Sequence, residues 1–255
     1  MTRDETSSSL SRDIFRDMCG RFVSSSSADA ISKFFGASFE GEALPANFNV
    51  APTQDVLAVL ADAAGERTVQ TFHWGLVPSW AKDTKIGSKM INARSETIAE
   101  KPAFKGLFKK HRLLIPMDGF YEWQQGVEGG PVTKAGKPMK LPIFIHRADG
   151  DLLAVAGLWA TWRDRALGPD APWLHSCTVI TTAANDTMAP VHNRMPVILP
   201  ASRWGEWLDP TNGDIAALQS LLIPAANDVL TMHAVSTEVN NARNGGSQLV
   251  EPAGL

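Results

Sequence analysis

The residues that offer chemistry in this sequence are two cysteines and a few polar side chains in short aromatic or irregular segments. Cys19 stands in Met18-Cys19-Gly20-Arg21-Phe22. A chain that begins at Cys19 carries a free α-amine and a free thiol on adjacent carbons, a 1,2-aminothiol that exists only at an N-terminal cysteine. Its amine has an ordinary pKa of ~7.7–8.0 against ~10.4 for lysine, so its neutral fraction at pH 7 is roughly several hundred times larger. Such an amine condenses with an aldehyde to a Schiff base, and the neighbouring thiol then closes on the imine carbon to give a thiazolidine ring. Cys177, in the apolar run Cys177-Thr178-Val179-Ile180, reads as a core residue. His175 shares its strand face, but no further Cys or His completes four ligands, so neither a metal nor a cofactor is expected.

That reaction needs proton donors and acceptors. Glu122 lies between Tyr121 and Trp123, an aromatic setting of the kind that raises a carboxyl pKa towards general-acid use. An edge-strand ion pair is the plainer reading of the same residue. His192 sits in the proline-flanked segment Pro190-Val191-His192-Asn193-Arg194, where an imidazole titrating near neutrality serves proton transfer, although a lone loop histidine is more often structural. Asn92 and Arg94 alternate in Ile91-Asn92-Ala93-Arg94, so an extended backbone points both the same way. An amide and a guanidinium on one face suit a sugar oxygen and a phosphate.

These groups must be held by the elements around them. At 255 residues the chain is long enough for one large domain with a sizeable core. Hydrophobic residues make up 44%, charged residues 20%, and the net charge is -3, an ordinary globular balance. No apolar run approaches the ~18 residues of a membrane span. Residues 1–17 are polar and lack the apolar segment of a secretory signal, so they read as a disordered leader or a start placed too early, ahead of one domain over 18–255. The default address is the cytosol, and a monomer is expected.

Between Lys82 and Arg112 nine Lys or Arg face three acids, which makes this segment net +6 within a chain that is net -3. A solvated helix face and a phosphate-binding surface both fit that pattern. Trp74-Gly75-Leu76-Val77-Pro78-Ser79-Trp80 is a rigid, aromatic loop, either anchoring the core or offering ring faces to nucleobases.

Capping and periodicity predict a short helix over Ala28–Phe35 closed by Gly36, and a hairpin of Val56–Ala61 with Thr68–Trp74. They predict further strands at Arg112–Pro116, Phe120–Trp123, Pro142–His146, Leu152–Trp159, Cys177–Thr182 and Val229–Val235. Helices are expected from Ser95, over Arg203–Leu208 and over Ile215–Leu222, with turns at Asn47–Pro52 and Asn185–Ala189 and a flexible connection over Gly126–Lys140. Strands dominate without a βαβ rhythm. The expected class is α+β, a single domain with a mostly antiparallel, barrel-like β core and peripheral helices.

The stretches around these residues resemble the SOS-response-associated peptidase family. The matching motifs are Met18–Phe22, Asn49-Val50-Ala51-Pro52, Trp74–Trp80, Ile91–Thr97, Asp118–Trp123 and His192-Asn193-Arg194-Met195-Pro196, in order over residues 18 to about 200. The resemblance implies binding of single-stranded DNA and covalent capture of abasic sites. It implies that Cys19 forms the thiazolidine with the ring-opened deoxyribose and that Glu122 assists opening of the sugar. By the same resemblance His192 moves protons and assists reversal, and Asn92 orients the cysteine amine. It further implies that Arg21, Arg94 and Asn49 contact phosphates or line the site, that Trp74 and Trp80 lie near the bases, and that residues before the cysteine are removed, with self-processing as one route. Family members normally begin at the methionine before this cysteine, whereas 17 residues precede Met18 here. With those residues attached, the Cys19 nitrogen is an amide and crosslinking is not expected. A thiol peptidase acting in trans and a non-covalent reader of modified or single-stranded DNA are the competing classes.

Overall fold

The computed structural model describes residues 20–126, 132, 136 and 138–253. The expected leader and Cys19 itself lie outside the described residues, as does most of the connection expected at Gly126–Lys140, of which the antiparallel bridge Val132–Pro138 is described.

Five strands close into a small barrel: β4 (Asp55–Ala61), β5 (Arg67–Trp74), β7 (Arg112–Met117), β10 (Leu153–Trp162) and β11 (Leu174–Ala183). Neighbours pair antiparallel around the ring, and β5 closes it by running parallel to β11, with Ser176 opposite His73 and Cys177 opposite Trp74. The far half of β11 extends past β5 and β10. It is flanked there by β6 (Asn92–Arg94) on one side and β12 (Arg194–Pro196) on the other. A second antiparallel sheet is built from β13 (Leu230–Ala234), β9 (Leu141–Arg147), β8 (Gly119–Gln124), β1 (Phe22–Ser24) and β3 (Asn47–Val50), in that order. This is the expected α+β class with a barrel-like core.

Strand alternation sorts the apolar side chains. Val56, Phe72, Trp74, Leu113, Ile115, Val155, Cys177 and Val179 fill the barrel and continue onto Phe22, Phe120, Ile143 and Ile145 of the second sheet. Leu57, Val59, Leu114, Ala156 and Ile180 point outward and are covered by α1 (Ala28–Phe35), α2 (Lys105–Lys110), α3 (Trp204–Leu208) and α4 (Ile215–Ser220). The outer face of the second sheet buries Val23, Tyr121 and Phe144 beneath the chain end around Val239 and Leu249.

The first helix forms where its caps dictate. Ser27 accepts the Ala30 N–H at its hydroxyl, and Gly36 ends the helix at φ 59. The helix expected at Ser95 is a single 3₁₀ turn, Ser95–Thr97, without a side-chain cap; α2 follows it instead. The turn expected at Asn47–Pro52 is partly a strand, because β3 pairs with β1. In the basic segment Arg112 is no surface charge. It is 2% exposed, donating to the carbonyls of Trp207 and Phe108 at 2.6 and 2.8 Å. The other eight basic side chains are exposed.

Candidate active site

The site forms where the extended end of β11 faces the second sheet. Parallel pairing sets Asn92 opposite Val179 and Arg94 opposite Thr181, while Ala93 between them is buried against the outer core. Asn92 and Arg94 therefore share the inward face of β11, the alternation expected of them. Arg94 is exposed at the rim.

Glu122 comes from the opposite wall. It is paired with Ile143 on β9 and points to the same side as Phe120 and Ile145, towards the barrel, at 5% exposure. β1 runs antiparallel beside it, with Phe22 opposite Phe120 and Val23 opposite Gly119, and Arg21 accepts the Tyr121 N–H at 2.9 Å. Extrapolated two pairs beyond Phe22, this register would bring Gly20 level with Glu122.

His192 closes the site from the connection between β11 and β12. Asn185 starts that connection: its side-chain oxygen accepts the Met188 N–H at 2.9 Å, and its amide donates to Ala225 and Ala226. Met188 and Val191 are buried in the inner core, and Ala189 N–H returns to Asn185 O at 2.9 Å, the expected helical turn. Gln124, two residues beyond Glu122 on β8, donates to Pro190 O at 3.2 Å and ties this connection to the second sheet. The His192 ring is half-buried, with its Nδ1 3.1 Å from the Arg194 N–H nitrogen and 3.3 Å from the Arg194 carbonyl oxygen.

Three residues here escaped the sequence reading. Thr181 is buried and joins Arg94 to Pro196 across β11. Arg194 donates to Thr181 O at 2.6 Å and to Oγ1 at 3.2 Å, and clasps Glu96 with both terminal nitrogens. The hydrogen bonds from Arg194 are the chief reason that the Glu96 carboxyl is held below its ordinary pKa. Arg194 lay in plain view in the His192 motif, but nothing in the sequence marked Glu96 as its partner.

Four other expected site residues lie elsewhere. Asn49 is 1% exposed on the outer face of the second sheet. Its amide donates to Asn241 O and Asn244 O at 3.1 and 3.0 Å, and its oxygen accepts from Arg21, which leaves it no surface for DNA. Arg21 is half-buried beside it, with Nη1 also bonded to Val239 O at 3.0 Å and its guanidinium over the Trp123 ring. Desolvation lowers its pKa. These bonds anchor the chain end and account for Arg21 without a phosphate.

Trp74 is fully buried, edge-on to Phe22 at 4.9 Å, with Nε1 donating to Ile91 O. No ring face remains for a base, so of the two readings of this tryptophan core anchoring is the right one. Trp80 is 62% exposed and lines a groove of about 600 Å³ with Lys82, Trp162, Arg163 and Arg165. The loop is led there by the backbone contact of Gly75, φ 136, with Gly87, where a Cβ on either residue would come within 2.8 Å of the other's carbonyl oxygen. The groove is at the opposite end of β11. Ala81 O accepts from Trp162, which pairs with Leu174, and seven residues at ~3.3 Å each put Thr181 about 23 Å further along.

Asn92 and Arg94 on β6 and His192 ahead of β12 thus flank the extended end of β11, and the Gln124–Pro190 bond ties the strand of the buried Glu122 to the His192 connection. Such a set moves protons at a small polar substrate and holds an anion beside it. Among the described residues no three His, Cys, Asp or Glu lie close enough to hold a metal, and no helix is long and apolar enough to cross a membrane.

Known proteins share both sequence and fold. The chain is 41% identical over 237 residues to "Abasic site processing protein YoqW" of Bacillus subtilis, covering 92% of this chain and 99% of that one. It is 41% identical over 240 residues to "Abasic site processing protein YoaM" of the same organism, covering 92% and 98%. A crystal structure from Bacteroides thetaiotaomicron superposes with a TM-score of 0.79 over 92% of this chain and all of that one; at 24% identity this likeness concerns the fold alone. The family model described as SOS response associated peptidase (SRAP) matches residues 18–242, and the chain belongs to that family.

Proposed function

We propose that this protein processes abasic sites in DNA, capturing them in single strands through a thiazolidine formed by an N-terminal Cys19. The names of the relatives at 41% identity support the substrate. The observation that carries the chemistry is the position of Glu122, buried on β8 beside β1, the strand that follows Cys19 in sequence. Cys19 is outside the described residues and directly precedes Gly20 in the sequence.

In this reading Glu122 protonates the departing ring oxygen as the deoxyribose opens to its aldehyde. The Cys19 amine adds to the aldehyde carbon, and loss of one water gives the Schiff base. The thiol then adds its sulfur to the imine carbon and its proton to the nitrogen, with no oxidant or reductant involved. His192 carries protons between these steps, Asn92 orients the amine, and Arg94 at the rim meets a flanking phosphate. The amine must be free, so residues 1–18 must be absent or removed, and self-cleavage at Met18-Cys19 is the peptidase activity that we assign.

A single-stranded oligonucleotide with one abasic site tests the proposal. Protein beginning at Cys19 should give an adduct that survives a denaturing gel, while Cys19→Ala and a chain held uncleaved before Cys19 should not. Salt-sensitive binding without an adduct would identify a non-covalent reader, and cleavage of added peptides without an adduct a thiol peptidase; either result overturns it.

A further inference from the structure

Nδ1 of His192 sits between two groups of a single residue. The Arg194 N–H is 3.1 Å away and the Arg194 carbonyl oxygen 3.3 Å away. The first demands a bare Nδ1 and puts the proton on Nε2; the second demands Nδ1–H and leaves Nε2 bare. The two tautomers present opposite chemistry at Nε2, a proton donor or a proton acceptor. A slight rotation of the residue 194 backbone decides between them.

That backbone is held by its pairing on β11 and, in addition, through its own side chain. Arg194 is paired with Ala183 at the very end of β11, where the ladder stops. Its guanidinium donates to Thr181 O and Oγ1 and closes on both oxygens of Glu96, with Nη2 to Oε2 at 3.0 Å. The Arg194 side chain is 16% exposed and that of Glu96 50%. Glu96 thus reaches in from the 3₁₀ turn after β6 and accepts from both terminal nitrogens, a two-point grip that a carboxylate fills and an amide, with one acceptor oxygen, only half fills. The other charged groups on the surrounding elements are Arg94 on β6, Glu122 on β8 and Asp186, which accepts from Asn227.

We propose that Glu96 is a positioning residue for His192: by clamping Arg194 it keeps the Arg194 N–H on Nδ1 and the imidazole in its Nε2–H form. His192 then enters the reaction as a proton donor. The activity arm of the test rests on the abasic-site reading; the tautomer arm does not.

The test uses protein beginning at Cys19, with Glu96→Ala and Glu96→Gln. The ¹⁵N spectrum of the His192 ring should show Nε2–H in the parent, substantial Nδ1–H in Glu96→Ala, and an intermediate proportion in Glu96→Gln, which keeps one of the two acceptors. Adduct formation with abasic single-stranded DNA should slow about 10-fold in Glu96→Ala with a displaced pH profile, part of the ~10²–10⁴-fold that a positioned proton-transfer group contributes, and recover only in part in Glu96→Gln. If Glu96→Ala does not fold, Arg194→Lys reads the same clamp, because an ammonium cannot grip Glu96 and Thr181 together. An Nδ1–H ring in the parent overturns the proposal, as does an unchanged tautomer in Glu96→Ala, whatever its rate. Absence of any adduct in the parent refutes the abasic-site reading instead and leaves the tautomer result to decide.

Discussion

Arg21 donates from Nη1 to the side-chain oxygen of Asn49 at 2.7 Å, and both bond the carbonyl of Val239, more than 200 residues beyond Arg21. This knot sits on the outer face of the second sheet, behind the strand that leads back to Cys19. It ties three distant parts of the chain: β1, β3 and the segment 239–244. Asn49→Ala leaves the Asn241 and Asn244 carbonyls and the Arg21 guanidinium each one partner short in a part-buried setting, with Arg21 keeping its bond to Val239 O. At roughly 1–3 kcal/mol per unsatisfied buried group, with partial relaxation, the expected loss is about 3 kcal/mol. Urea unfolding measures it. Full stability with weakened DNA affinity would instead return Asn49 to the DNA-contact role.

The two tryptophans of one seven-residue loop should separate cleanly. Trp74→Ala empties the barrel between Phe22 and Cys177 and should cost about 3–5 kcal/mol. Trp80→Ala removes an exposed ring and should leave stability within about 0.5 kcal/mol. If bases stack on Trp80, the same change weakens single-strand binding by roughly 1–3 kcal/mol, measured by anisotropy on undamaged oligonucleotides. Unaltered affinity removes Trp80 from the interface.

Local signals in the sequence were reliable where the physics is local. Ser27 and Gly36 bound the first helix because each satisfies backbone groups of its own turn. Asn92 and Arg94 share a face because the period of a strand is two. What was not legible depends on partners far along the chain. Asn47-Phe48-Asn49-Val50 looked like a turn, and only pairing with β1 makes it a strand. The resemblance sets Asn49 among residues that contact phosphates or line the site, and nothing local to Asn49 announces its acceptors, the carbonyls of residues 239–244. Trp74 and Trp80 share one composition, and only closure of β5 onto β11 buries the first. Glu96 and Arg194 lie 98 positions apart.

The same ion pair gives a pH dependence of definite sign. The Glu96 carboxyl is held below its ordinary value, first by hydrogen bonds from Arg194. A group whose folded pKa is depressed stabilises the fold above its unfolded pKa, ~4.3 for glutamate, and loses that contribution as pH falls through the folded value. The unsubstituted protein should therefore lose more stability than Glu96→Gln between about pH 5 and pH 3, and the two should run parallel above that window. With the carboxylate half exposed, the difference stays under roughly 1 kcal/mol. Urea midpoints at matched pH values measure it, and a larger loss in Glu96→Gln would reverse the assignment.

Thr53 marks a strained tip that glycine should relieve. Among the described residues it is the only non-glycine with a positive φ, 72°, at the exposed connection between β3 and β4. Both sides of the tip are fixed. The Thr53 N–H donates to Trp74 O at 2.8 Å, and the Gln54 side chain accepts the Ala51 N–H at 2.9 Å. The backbone therefore cannot relax to suit a β-branched side chain, for which the left-handed conformation costs roughly 1–2 kcal/mol. Glycine removes that cost but gives back about 0.5–1 kcal/mol through its greater freedom when unfolded. Thr53→Gly should thus stabilise by about 0.5–1 kcal/mol and raise the thermal midpoint by roughly 1–4 °C. Thr53→Val keeps the branch, loses the hydroxyl and should bring no gain. A rise in both variants would trace the effect to the hydroxyl and remove backbone strain as its cause.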